Sequence, residues 1–237
     1  MTSTSTLVRR RHRGYRQLLL VCTALLAGFA LPAEVGRITG LLYNLLPPIL
    51  LRTLGQPFGS IPFGPLARRC YRVLGVATLA SSLLWSLLPL HLQGAGLSLL
   101  VLWSGFSGWS TLRLVRGLSQ ERRVNDDVLM GALAGYLLMG LSAALTFSAL
   151  EQLAPGSFSS GHSAAGQPLD FLRLTTFAFV SLTTTGYGDV VPVSAPAQVA
   201  SMVVSIAGNC YLAVVMALLI SRYTVQEHSS NHDPDDP

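Results

Sequence analysis

The chain has 237 residues, is 50% hydrophobic and only 11% charged, and carries a formal net charge of +5. Soluble domains average about 25% charged residues, so this balance excludes an ordinary soluble domain and points to a membrane protein. The positive charge does not imply nucleic-acid binding, because the arginines sit in short segments between apolar runs, the pattern that orients membrane helices.

Taken in order, residues 1–16 are polar and basic, with Arg9, Arg10, Arg11, Arg13 and Arg16. An apolar run over 17–33 predicts a first crossing. A short polar break at 34–37 leads to a second run over 38–54, where Pro47 and Pro48 are expected to kink or break the helix. Residues 55–72 read as a Gly/Pro-rich loop ending in Arg68, Arg69 and Arg72. Runs over 73–90 and 94–112 predict two further crossings, with His91 between them. Residues 114–127 are charged and include Arg116, Arg122 and Arg123. A long helix is expected over 128–150, with Asp126 and Asp127 suited to its N-terminus. Residues 154–166 read as a loop. The helix expected over 170–182 is too short to cross a bilayer, which takes about 20 residues. Residues 198–223 predict the last crossing. The tail over 226–237 is polar and acidic, a composition that predicts disorder. Cys22, Cys70 and Cys210 are far apart and odd in number, and are expected to be small buried hydrophobes.

The arginine clusters at 9–16, 68–72 and 113–123, with Arg222, define an orientation when all are placed in the cytoplasm. Six crossings satisfy this, with both termini inside and residues 151–197 outside. The basic start followed by an apolar core and Leu31-Pro32-Ala33 also reads as a cleavable signal peptide, which would leave five crossings in the same orientation. The expected organisation is a basic cytoplasmic segment (1–16), a four-helix transmembrane region (17–125), a pore domain (126–223) and a cytoplasmic tail (224–237). Non-helical backbone at membrane depth is tolerated only where it is buried in protein or lines a water-filled path. A short helix and an irregular stretch entering from outside therefore suit an ion path.

That stretch contains Thr184-Thr185-Gly186-Tyr187-Gly188-Asp189. A cation that sheds its water needs replacement oxygens, and a row of main-chain carbonyls aimed at one axis supplies them. An ordinary strand alternates its carbonyls from side to side. Glycine reaches positive φ cheaply, and Gly186 and Gly188 supply it at alternate positions. The Thr184 hydroxyl adds a side-chain oxygen at the inner end, and the Tyr187 ring is expected to point away from the axis. The short helix would aim its C-terminus, with its partial negative charge, at the pore. One such segment per chain means that a closed ring needs four chains.

The stretch from Ser181 through Pro192 resembles the pore signature of the potassium-channel superfamily, and the resemblance extends over residues 127–223. It implies an all-α integral membrane protein with a re-entrant pore helix and selectivity filter, assembled as a homotetramer with three further copies of itself. By resemblance, K+ sites lie at Thr184, Thr185, Gly186 and Tyr187, with Gly188 completing the filter and Thr183, Asp189 and Phe177 supporting it. Relatives that also pass sodium carry Asp where Tyr187 stands, so the tyrosine favours potassium. Gly208 matches the glycine at which the inner helix bends, with close packing as the alternative. Asn209 is expected to line the cavity or to bond a neighbouring helix. There are departures. Thr176 and Phe177 occupy the places of two adjacent tryptophans that brace the filter in many members, and Val180 stands where some bacterial members have glutamate. Gly131 and Gly135 form a small-xxx-small pair expected to let another helix approach, the inner helix being the expected one.

The first four helices look like a scaffold. A voltage sensor repeats arginine at every third position within the span, and each charge yields about 2.3 kcal/mol per 100 mV. Only Arg113 and Arg116 have that spacing; they are read as topology anchors at the cytoplasmic end. The expected function is passive, weakly voltage-dependent K+ conduction across a plasma (inner) membrane. The alternatives are a modulatory subunit, a sodium/potassium-permeable channel, or a transporter that repeats the pore unit. No cofactor, small-molecule ligand or nucleic acid is expected besides the permeant ion and the bilayer. No metalloprotease motif, nucleophile elbow or phosphate loop occurs, so an enzyme is not expected. His12, His91, His162, His228 and His232 show no partner pattern.

Overall fold

The computed structural model describes residues 2–29, 44–54, 65–87, 95–119, 126–161, 169–217, 220–221 and 224. The Leu31-Pro32-Ala33 cleavage signal, His91, His162, Arg122, Arg123, Arg222 and the acidic tail lie outside these residues, as does the His12 side chain. The helices are α1 (Thr2–Gly28), α2 (Leu46–Leu54), α3 (Pro65–Leu87), α4 (Ala95–Ser119) and α5 (Asp126–Leu153). A strand β1 (Phe158–Ser160) follows, then α6 (Phe171–Leu182), β2 (Val190–Pro192) and α7 (Ala195–Cys210), which continues into a π-helical segment over Tyr211–Met216.

Several boundaries differ from the sequence expectation for identifiable reasons. The basic N-terminus is helical and continuous with the first apolar run: α1 covers 27 residues without a break. Pro47 and Pro48 fall in the first turn of α2, where N–H groups have no helical partner to lose. Arg68, Arg69 and Arg72 belong to the first turns of α3, which opens on Pro65. Residues 158–160, expected as loop, form a strand. Among the described residues, Asp126–Leu153 and Ala195–Met216 are the helices long and apolar enough to cross a membrane.

Two apolar cores organise the chain. The first joins Tyr15, Leu18 and Cys22 of α1 with Leu50 of α2, Tyr71 of α3, Phe106 and Leu114 of α4, and Leu138 of α5. The second packs Phe147 of α5 against Phe158, Leu174 and Phe177. The first helices are thus packed onto α5. Arg16 pairs with Asp127 at the start of α5, and Tyr15 lies against Gly131. At the other end of α1, Phe29 meets Phe171, ring centroids 5.9 Å apart.

α4 runs antiparallel to α5 along a ladder of hydroxyls. Ser104 meets Thr146 at 2.7 Å, Ser107 meets Ser142 at 2.5 Å, and Thr111 meets Ser142 at 3.2 Å. Thr111, Ser142 and Thr146 also donate to the carbonyl four residues back, so no hydroxyl in the ladder faces lipid without an acceptor. Such hydrogen bonds contribute about 0.6 kcal/mol each between membrane helices.

Arg113 lies near the C-terminal end of α4. It is 3% exposed and its guanidinium stacks 4.3 Å from the centre of the Tyr71 ring. Tyr71 in turn bonds Ser110 at 2.9 Å. Arg116, three residues on, is exposed. Of the three free cysteines, Cys22 is buried as expected, whereas Cys70 and Cys210 are exposed.

Candidate functional site

The pore helix of the sequence reading is α6, Phe171–Leu182, and Asp170 is its N-cap, accepting from the Arg173 N–H at 2.9 Å. It lies antiparallel to α5. Phe177 stacks on Phe147, Phe179 lies against Gly140, and the Tyr136 hydroxyl donates to the Leu182 carbonyl at 3.4 Å. Tyr136 is about a third of the way along the 28-residue α5. The end of α6 is therefore level with the interior of a membrane-length helix, roughly 15 Å from its start at 1.5 Å per residue.

From there the chain turns back through Thr183–Asp189. The N–H groups of Thr183, Thr184 and Thr185 donate to Phe179 (2.9 Å), Ser181 (3.1 Å) and Val180 (2.9 Å). These bonds satisfy carbonyls that every helix C-terminus leaves open. The Thr183 hydroxyl donates to Phe179 O at 2.8 Å and lies 2.7 Å from the Thr185 hydroxyl, so Thr183 caps the helix and steadies the next turn. Thr184 donates to Thr183 O at 2.7 Å.

Positive φ recurs at every second residue: Thr184 at 55°, Gly186 at 63° and Gly188 at 75°. Thr184 is the only non-glycine with positive φ among the described residues. For a β-branched residue this conformation costs about 1–3 kcal/mol. Alternating the sign of φ rotates every second peptide plane, so successive carbonyls turn to one side instead of opposite sides. The glycines were legible in the sequence; Thr184 in the same role was not, because threonine carries no signal for it.

The upper end is tied down as firmly as the base. β2 pairs antiparallel with β1, with Phe158 opposite Pro192 and Ser160 opposite Val190. The N–H groups of Val193 and Ser194 then bond Ser157 O, and Ser194 caps α7 with a proline at its first turn. β1 is itself aimed by Glu151, which is 2% exposed. Its carboxylate accepts the N–H groups of Gly156 and Phe158, both at 3.0 Å. The sequence reading missed Glu151. Its signal was an acid closing an apolar helix just before a Pro-Gly turn.

The side chains of residues 183–189 are exposed in the single chain, and Tyr187 is 71% exposed. Asp189 has no hydrogen-bond partner among the described residues. Phe177 is 7% exposed. It packs with Phe147 and Phe158, centroids 5.3 and 5.5 Å away, fixing α6 on α5 and β1, and each such pair contributes about 0.5–1.5 kcal/mol beyond burial. Thr176 is exposed and bonds its own helix at Leu172 O. Val180 is buried at 8%.

Gly208 is buried, and a Cβ there would collide with the Leu182 carbonyl oxygen. The close-packing alternative describes its surroundings, and a π-helical segment begins three residues later. Asn209 is exposed in the chain. The small-residue pair divides between partners: Gly131 admits Tyr15 of α1, and Gly135 admits the Tyr211 hydroxyl.

The ion-channel family model Ion_trans_2 matches residues 135–225. Neither the curated proteins nor the solved structures contain a match to the chain. The matched span holds most of α5, all of α6, the alternating segment and α7. Together with the two membrane-length helices, it supports an ion channel in a membrane.

Proposed function

We propose that the chain is one of four identical subunits of a potassium-selective channel, and that residues 184–187 hold dehydrated K+ with their carbonyls. The observation that carries this is the alternation of positive φ at 184, 186 and 188, set between a capped helix C-terminus and a paired strand. That backbone directs oxygens to one side of a strand, the arrangement that replaces a K+ hydration shell. The exposure of Tyr187 leaves its ring for a neighbouring copy to cover.

In this reading the chain crosses a plasma (inner) membrane six times with both termini in the cytoplasm, and conduction is passive. The permeant ion is cargo, held at Thr184, Thr185, Gly186 and Tyr187 only while it passes. Gly188, Thr183 and Asp189 shape the ends of the filter, the α7 helices surround the axis with Asn209 toward the cavity, and Gly208 lies where α7 would bend. Opening depends weakly on voltage, because Arg113 is packed over Tyr71 inside the protein and one charge carries only about 2.3 kcal/mol per 100 mV. Reconstitution into lipid vesicles tests this. Potassium flux well above sodium flux is expected, with current nearly linear in voltage. Equal sodium flux would reject the selectivity, and steep voltage dependence would reject the role given to Arg113.

A further inference from the structure

The Ser181 carbonyl is a shared acceptor. It receives the N–H of Thr184 at 3.1 Å and the hydroxyl of Ser205 at 2.9 Å. Ser205 is on α7, and Thr184 is the threonine held at φ 55°. One turn beyond Ser205, on the same face, Gly208 abuts the Leu182 carbonyl. That carbonyl also receives the Tyr136 hydroxyl from α5. The last two carbonyls of α6 are therefore gripped from both sides.

The grip continues downward. Tyr211 lies with its ring 5.7 Å from Tyr136, and its hydroxyl donates to Ala132 O at 2.5 Å. In a regular helix that carbonyl also accepts the N–H of Tyr136, so Tyr211 uses its second lone pair. Tyr211 is also the first residue of the π-helical segment, a helix form that needs local stabilisation and recurs at functional sites.

We propose that Ser205, through the Ser181 carbonyl, is a positioning residue for Thr184, and that Tyr136 and Tyr211 complete a latch joining the base of the filter to both long helices of the pore. The face of α6 that carries Phe177 is packed by phenylalanine rings, which cannot orient a carbonyl. The direction of the last α6 carbonyls is set instead by hydroxyls from α7 and α5. A displacement of α7 pulls on Ser181 O and so on the strained Thr184 peptide, which makes the filter sensitive to the position of the inner helix. The inference rests on the reading of residues 184–187 as the filter.

The test compares wild type, Ser205→Ala, Ser205→Thr and Tyr136→Phe, each checked for tetramer assembly and reconstituted in vesicles. Two quantities are read: the K+/Na+ permeability ratio and the exchange rate of the Thr184 amide. Ser205→Ala should lower the ratio about ten-fold, the equivalent of one hydrogen bond of about 1.4 kcal/mol, and should speed Thr184 exchange. Ser205→Thr keeps the hydroxyl and should restore both, and Tyr136→Phe should fall between. A selective wild type with an unaltered Ser205→Ala ratio and exchange rate overturns the latch alone. A wild type with no preference for potassium overturns the filter reading and the latch with it.

Discussion

α5 and α7 with its extension are the two membrane-length helices among the described residues, yet their surroundings differ sharply. In its most apolar stretch α5 is 67% buried within the chain, and α7 with its π-helical extension only 17%. α5 is enclosed by α1, α4 and α6. α7 leans on α6 along one face, through Ala197, Ser205 and Gly208, while Val199, Met202, Val203 and Ile206 stand open. Lipid and a neighbouring protein surface cover apolar side chains about equally well, so an open face costs little in a membrane. The contrast teaches that α5 is built to hold its own chain together, whereas most of the apolar surface of α7 is left for what lies outside the chain.

The largest expected effect concerns the segment between these helices. Gly186→Ala should abolish conduction. A Cβ there has open space around it, so the penalty comes from φ 63° and is paid in the backbone that aims the carbonyls. Potassium flux from the purified variant checks this, and normal flux would place the ion path elsewhere.

The comparison itself is tested next. Leu138→Ala or Leu141→Ala in α5 should lower the stability of the chain by about 2–5 kcal/mol. Met202→Ala or Ile206→Ala in α7 should change it by less than about 0.5 kcal/mol, as measured by denaturant titration of monomer in detergent. Equal losses would show that α7 is as embedded as α5. Glu151→Ala comes third. It strands the buried Phe158 N–H, at a cost of about 1–3 kcal/mol, together with the half-buried Gly156 N–H, and should loosen the β1–β2 pairing; exchange of the Phe158 amide reports on it. The smallest effect belongs to the hydroxyl ladder. Ser142→Ala should cost about 0.6 kcal/mol and leave selectivity unchanged, and a measurable change in ion preference would mean that α4 acts on the filter directly.

Much of this was legible from residue order. The apolar run over 128–150 marked α5 to within about three residues at each end, and Asp170 and Thr183 cap α6 where the short helix was expected. Gly186 and Gly188 announced the unusual backbone. Each of these signals is local: a cap, a period or a φ preference acts on neighbours in the chain. Pro47 and Pro48 were ambiguous in the same local sense, since proline both ends and starts helices.

The sequence by itself determined that the chain is apolar enough for a membrane, that a short helix precedes a glycine-punctuated segment, and that two long helices flank it. Only the tertiary structure decided that Arg113 lies over Tyr71, that Gly131 and Gly135 admit different partners, that Phe177 packs on Phe147 and Phe158, and that Ser205 and Thr184 share one carbonyl. Those outcomes depend on which side chain of a distant helix arrives opposite. Helical periodicity tells which face of a helix is apolar, but it does not name the residue on the other side.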